Sequence, residues 1–193
     1  MRTKDERGRL IAAVADQLLE HGSSGASLRG LAKAIGTNNR MLLYYFNSKE
    51  ELLSAANLEV YSRFPRLTNL MSHLAEPGDI YDQLDSVWHD LAAPDSLPFL
   101  RFFFEAFGVA SHQPDRYAPF LTTVADAWPP AIIAALEREG IGPEPAQQLA
   151  LQIMALWRGL QFALLSGTPR EALDRAHRSA VEGLIGRPGE APR

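Results

Sequence analysis

Two short apolar-patterned segments, each opened by a capping residue and parted by a tight break, occupy residues 27–46. Ser27 can accept a hydrogen bond from an orphan N–H in the first turn of a helix over 28–35, and Asn38 can do the same for a helix over 39–46. Gly36 ends the first of these helices, and only Thr37 separates it from the second cap. Leu28, Leu31, Ala32, Ile35, Leu42 and Phe46 fall on the facing sides, with Ala32 and Ala34 small enough for close approach. That is the layout of a helix-turn-helix. Asn39, Arg40, Leu43 and Tyr44 are left to face outward. Asn can read adenine and Arg guanine, and a Tyr hydroxyl can reach phosphate, although a helical hairpin with a solvated polar face would show the same pattern.

The flanks continue the helical theme. Leu10, Ile11, Val14, Ala15, Leu18 and Leu19 recur at spacings of three and four, which predicts an amphipathic helix over 3–21 stopped by Gly22 and the Ser23-Ser24-Gly25 stretch. Ser48, with Glu51 three residues on, reads as a capping box opening a helix over 49–64 that Pro65 closes. Beyond it, Pro and Gly separate helical stretches near 66–75, 79–92, 97–111, 115–127, 130–139, 144–166 and 170–185, and Pro129-Pro130 should end or kink the chain near Trp128. Residues 187–193, with two prolines and a glycine, read as an unstructured tail.

Period-two alternation is absent and Ala and Leu dominate, so the expected fold class is all-α. About 9–10 helices are expected, in a three-helix helix-turn-helix domain over residues 1–50 and a helical domain over 51–193. Hydrophobic residues at 46 % allow a sizeable core. With no cysteine there are no disulfides, thiolate metal sites or thiol nucleophiles. No apolar run reaches membrane-spanning length, which implies no membrane partner and a cytoplasmic location. Net charge is −4, yet residues 1–50 hold eight Lys/Arg against five Asp/Glu, a net +3 that leaves −7 for the remainder. A basic head on an acidic body suits a chain that offers one end to phosphates.

Residues 10–52 resemble the DNA-binding domain of the TetR family of transcriptional regulators. The resemblance rests on three elements: the first helix ending Glu20-His21-Gly22, the Ser27-Leu28-Arg29-x-Leu31-Ala32 helix, and Gly36 followed by a helix ending Tyr44-Tyr45-Phe46-x-Ser48-Lys49-Glu50. It implies that Arg29 reaches a base edge or phosphate and that Ser27 touches phosphate. Asn39 and Arg40 would enter the major groove, with Asn38 beside them at the helix start. Tyr44 and Tyr45 would hold the sugar-phosphate backbone, and Lys49 would pair with phosphate at a helix N-terminus. Three positions depart from the family pattern. Leu43 stands where a Tyr is usual, Arg40 where Gly or Ala is usual, and Met41 where a small hydroxyl is common.

The resemblance also implies a homodimer through the last two long helices, 144–166 and 170–185, on a palindromic double-stranded DNA operator, with a small-molecule effector. Helix 144–166 is apolar nearly all round. Leu149, Ile153, Leu156, Leu160 and Leu164 form one stripe, and Leu151, Met154, Trp157 and Phe162 fill other faces. Leu173, Ala176, Ala180, Val181 and Leu184 stripe the last helix, and Ala150, Ala163, Ala176 and Ala180 suit close contact across a two-fold axis. Aromatic residues with a few polar neighbours suggest an apolar ligand pocket of Trp88, His89, Phe103, Phe104, Phe107 and Trp157. His21, His73, His89, His112 and His177 show no metal-ligand spacing, and no catalytic motif appears. Neither an enzyme, a metal nor a cofactor is expected. Control by a protein partner without an effector, or a helical interaction module that never touches DNA, are the alternative readings.

Overall fold

The computed structural model describes residues 2–22, 27–115 and 117–186; the expected 187–193 tail and the Ser23-Ser24-Gly25 stop lie outside them. Among the described residues there is no strand, and twelve α-helices run in order, two more than the upper expectation. They are α1 (Arg2–His21), α2 (Leu28–Ala34), α3 (Asn39–Tyr45), α4 (Lys49–Ser62), α5 (Pro65–Thr68) and α6 (Leu70–Ala75). The others are α7 (Ile80–Leu91), α8 (Leu97–His112), α9 (Ala118–Asp126), α10 (Pro129–Arg138), α11 (Pro143–Leu165) and α12 (Arg170–Ile185). The expected 66–75 helix is two short ones. The chain breaks at Asn69, whose carbonyl accepts from both the Ser72 amide and the Ser72 hydroxyl. The chain breaks around Trp128 as expected: α9 stops at Asp126, and Pro129 and Pro130 open α10, where a missing N–H costs no hydrogen bond. Among the described residues no helix is long and apolar enough to cross a membrane.

The chain divides into two compact units, and the division differs from a cut at residue 50. The first is Met1–Pro65 together with Pro98–Gln113; the second is Arg66–Leu97 together with Pro114–Arg193. The core of the first unit is Leu10, Val14, Ala15 and Leu18 of α1, Leu31 and Ala32 of α2, Leu42 and Phe46, Leu52, Ala56 and Val60 of α4, and Phe102 of α8. Leu28 and Ile35 pack against its edge, whereas Ala34 is exposed, so only Ala32 serves the close approach. Two ion pairs clamp α1 to α4. Arg63 bonds Asp16 at 2.5 Å and Glu59 at 3.0 Å, and Arg7 meets Glu51 at 3.3 Å with its guanidinium over the Phe46 ring.

The second unit packs α6 and α11 against α10, and α12 against both α7 and α11. Its fully buried side chains include Leu70, Leu74, Leu84, Val87, Trp88, Ile132, Leu136, Ile153 and Trp157. The α12 stripe is Leu173, His177 and Val181, while Ala176 is exposed. Ala150 is buried within its own chain and contributes nothing to a surface.

Candidate nucleic-acid interface

Three side-chain caps build the head's outer edge. Ser27 Oγ accepts from the Gly30 amide at 3.0 Å, Asn38 Oδ1 from Met41 at 2.9 Å, and Ser48 Oγ from Glu51 at 3.1 Å, so α2, α3 and α4 each start where the sequence placed a cap. Between α2 and α3 the chain reverses on Gly36 at φ 69°, with Thr37 N–H bonded to Ala32 C=O at 2.8 Å and Gly36 N–H to Lys33 C=O at 3.3 Å. This six-to-one and five-to-two pairing closes α2, and the left-handed φ is one that glycine adopts without a Cβ penalty.

Glu51 does more than a capping-box partner. Its Oε2 accepts from both the Asn47 backbone N–H (2.9 Å) and the Asn47 side-chain amide (2.7 Å), one residue earlier than the usual box, and its Oε1 takes the Arg7 guanidinium. The two Asn47 bonds, led by the backbone one, hold the Glu51 carboxyl below the usual carboxylate range. Arg7, Glu51 and Asn47 thereby fix the entry to α4, where Lys49 is the first helical residue.

Residues 27–46 carry Arg29, Lys33 and Arg40 and no acid at all. Arg29, Asn38, Asn39, Arg40 and Tyr44 are exposed, with Tyr44 at 72 %, while Lys49 is half-buried. Leu43 is 52 % exposed, an apolar side chain on the same outward face. Tyr44 and Tyr45 meet edge to face at 5.0 Å, yet Tyr45 is half-buried against the head core, which leaves Tyr44 as the outward partner. The oxygens of Ser27 and Asn38 are engaged as caps, leaving the Ser27 hydroxyl hydrogen and the Asn38 amide N–H₂ as donors. A short helix held at both ends thus presents an amide, a guanidinium, an apolar side chain and a phenol on a face without acids.

The sequence profile of the bacterial regulatory proteins, tetR family, matches residues 10–56, which runs from within α1 to the middle of α4 and takes in α2, α3 and Lys49. The match makes residues 10–56 a DNA-binding domain of the tetR-family type. No curated protein matches the sequence. Solved structures share the fold over nearly the whole chain. A crystal structure described as a TetR-family transcriptional regulator from Rhodococcus sp. is 21 % identical, with a TM-score of 0.73 over 94 % of this chain and 100 % of that one. A transcriptional regulator from Pseudomonas aeruginosa PAO1 is 22 % identical, with a TM-score of 0.74 over 95 % and 92 %. The multidrug binding protein EbrR, complexed with imidazole, is 22 % identical, with a TM-score of 0.66 over 97 % of each chain.

The six aromatic and polar residues expected to line a pocket fall in both units. Phe103, Phe104 and Phe107 lie on α8 in the first unit, where Phe103 stacks with Phe107 at 6.4 Å and meets Phe104 edge to face at 5.5 Å. Trp88, His89 and Trp157 belong to the second unit. His89 is exposed, 3.8 Å from Asp85. Trp88 and Trp157 are core residues with satisfied indoles. Trp88 donates to Asp174 at 2.7 Å, and Trp157 donates to His177 Nε2 at 3.1 Å.

His177 is the group that reading the sequence for a pocket missed. It stacks on Trp88 at 5.6 Å, is 1 % exposed, and lines a cleft of about 480 Å³ between α7 and α12. Burial pushes its imidazole down to about 4, against the opposing pull of Asp85 and Asp174. Its place four residues after Leu173 and four before Val181 was the available signal. Arg158 on α11, half-buried, is pushed down to about 10 by desolvation, bonds Gln161 at 3.1 Å and lies 5.9 Å from the Trp128 ring centre.

Proposed function

We propose that this chain is a ligand-responsive repressor that binds a palindromic operator as a homodimer and leaves it when a small, largely apolar effector binds. The observation that carries the reading is the acid-free outward face of α3, with Asn39, Arg40, Leu43 and Tyr44 on a helix capped by Asn38. Asn39 and Arg40 read base edges, Leu43 meets a thymine methyl, and Ser27, Arg29, Asn38, Tyr44, Tyr45 and Lys49 hold phosphate and sugar. The two α3 helices of a dimer enter successive major grooves roughly 34–36 Å apart.

Dimerisation through α11 and α12 is supported by Leu151 (71 % exposed) and Phe162 (64 %), which share one face of α11 with Ala155 and Gly159. Large apolar side chains left in water on a long helix mark an interface. The effector reading draws on EbrR, a multidrug-binding protein of the same fold. By linkage, whatever factor the effector takes from operator affinity, the operator takes from effector affinity.

Selection of duplexes from a random pool with purified protein, followed by gel shifts, tests the reading. Arg40→Ala should relax discrimination at one base pair by about 1–3 kcal/mol, while Lys49→Ala should weaken every sequence alike and lower the salt slope by about 1. Equal losses for both substitutions across all operator variants, or no enriched palindrome, contradict it.

A further inference from the structure

Arg7 lies in α1, ahead of the residues that the family profile matches, and is not among the groups expected to touch DNA. In the fold it reaches the corner between α3 and α4. Its guanidinium lies 4.8 Å from the centre of the Phe46 ring, at the end of α3. Its Nη2 donates to Glu51 Oε1 at 3.3 Å, in the first turn of α4. Glu51 in turn spans the corner. Its Oε2 accepts from the backbone N–H and the side-chain amide of Asn47, while its own N–H goes to Ser48. One carboxylate thus ties α1 to residues 46–48, the connection from α3 to α4.

That corner carries an electrostatic conflict. The stretch 27–46 has no acid, but Glu50 and Glu51 follow directly on Lys49, the cation expected to meet phosphate. Glu51 folds back over Asn47, so its charge stands at the start of α4, where the helix dipole and the first-turn N–H groups attract anions. The carboxyl stays ionised, held below the usual range by its two Asn47 bonds and then by Arg7. A bare carboxylate there takes the place of an anion and repels phosphate within a Debye length, about 8 Å at physiological salt. Arg7 is the cation beside it.

We propose that Arg7 is a positioning residue for operator binding: paired with Glu51, it cancels the carboxylate at the entry to α4 and braces the α3–α4 corner, so that Tyr44 and Lys49 meet phosphate. The proposal rests on the DNA-binding reading above. Arg7 acts through Glu51 and not by its own contact with DNA, which sets it apart from Arg29, Arg40 and Lys49. A partly exposed pair of this kind adds little to folding, yet its loss turns an uncompensated charge towards the duplex.

The test uses the full-length protein and an operator duplex obtained by selection, with gel shifts over a series of salt concentrations and a melting curve for each variant. Arg7→Met keeps an apolar stem over Phe46 and removes the charge; it should weaken operator binding by several-fold. Arg7→Lys, which restores the charge, should regain most of the loss. Glu51→Gln keeps an acceptor for Asn47 without the charge, and in that background the same Arg7→Met step should change affinity by less than about twofold. A residue that only stabilises the fold shows no such dependence on the charge at position 51. Should Arg7→Met fold poorly, Arg7→Gln in both backgrounds gives the same comparison. An equal loss in both backgrounds, with a salt slope flatter by about 1, makes Arg7 a direct phosphate contact and overturns the proposal, as does no loss in either. Natural protein that selects no duplex overturns the DNA-binding reading along with it. Tight binding by the natural protein leaves that reading standing whatever the Arg7 variants do.

Discussion

Acidification should destabilise the second unit through His177. The imidazole titrates near 6.5 when unfolded and about 4 when folded, because burial disfavours the charged form more than Asp85 and Asp174 favour it; Arg178 adds to the depression. The unfolded chain therefore binds more protons between these values, and stability falls as pH drops through that window. The full shift is worth about 3 kcal/mol per chain, of which about 2 kcal/mol is lost between about pH 7 and about pH 5. For a chain of this length that lowers the melting temperature by roughly 4–8 °C. The assay is urea unfolding at both pH values and fixed protein concentration, for the natural protein and for His177→Gln, whose amide oxygen can still accept from Trp157. Taking the difference cancels the carboxylates and exposed histidines. The wild-type advantage should shrink by about 2 kcal/mol on acidification. Parallel curves for the two proteins would refute the assignment of a buried, neutral imidazole.

Three other outcomes follow from the geometry. Asn38→Ala removes the α3 cap and should cost about 1 kcal/mol of head stability, with a matching loss of operator affinity as α3 frays, read by thermal melts and gel shift. Gly22→Ala forces a Cβ onto a residue at φ 78° beside the Glu105 carboxylate. The carboxylate can swing away but the backbone cannot, so a loss of about 1–2 kcal/mol is expected in the melting curve, and none would show the turn to be adaptable. Phe162→Asp should yield monomers in sedimentation with helicity unchanged by circular dichroism; a persisting dimer would move the interface away from α11.

The DNA-binding edge was largely legible because its determinants are local. Ser27, Asn38 and Ser48 each accept from an amide three residues on, Gly36 turns the chain within one residue, and spacings of three and four sort the buried from the exposed side of α3. The double role of Glu51 was half legible: its proximity to Ser48 signalled the cap, but not its bonds to Asn47 and Arg7. The surroundings of the aromatic residues were not legible, for the opposite reason. Aromatic composition says that Trp88, Trp157 and the α8 phenylalanines are buried somewhere, but not which other helix covers each.

The sequence alone thus settled what lies within a few residues of itself: the caps, the helix-turn-helix, the basic edge and the all-helical class. Tertiary structure decided which distant segments pack together. It placed α8, more than thirty residues beyond α4, in the core of the head through Phe102, and it set His177 of α12 between Trp88 of α7 and Trp157 of α11. Hydrogen bonds of caps and turns are specified by neighbours along the chain, whereas apolar burial is non-directional, so a buried face identifies itself long before it identifies its partner.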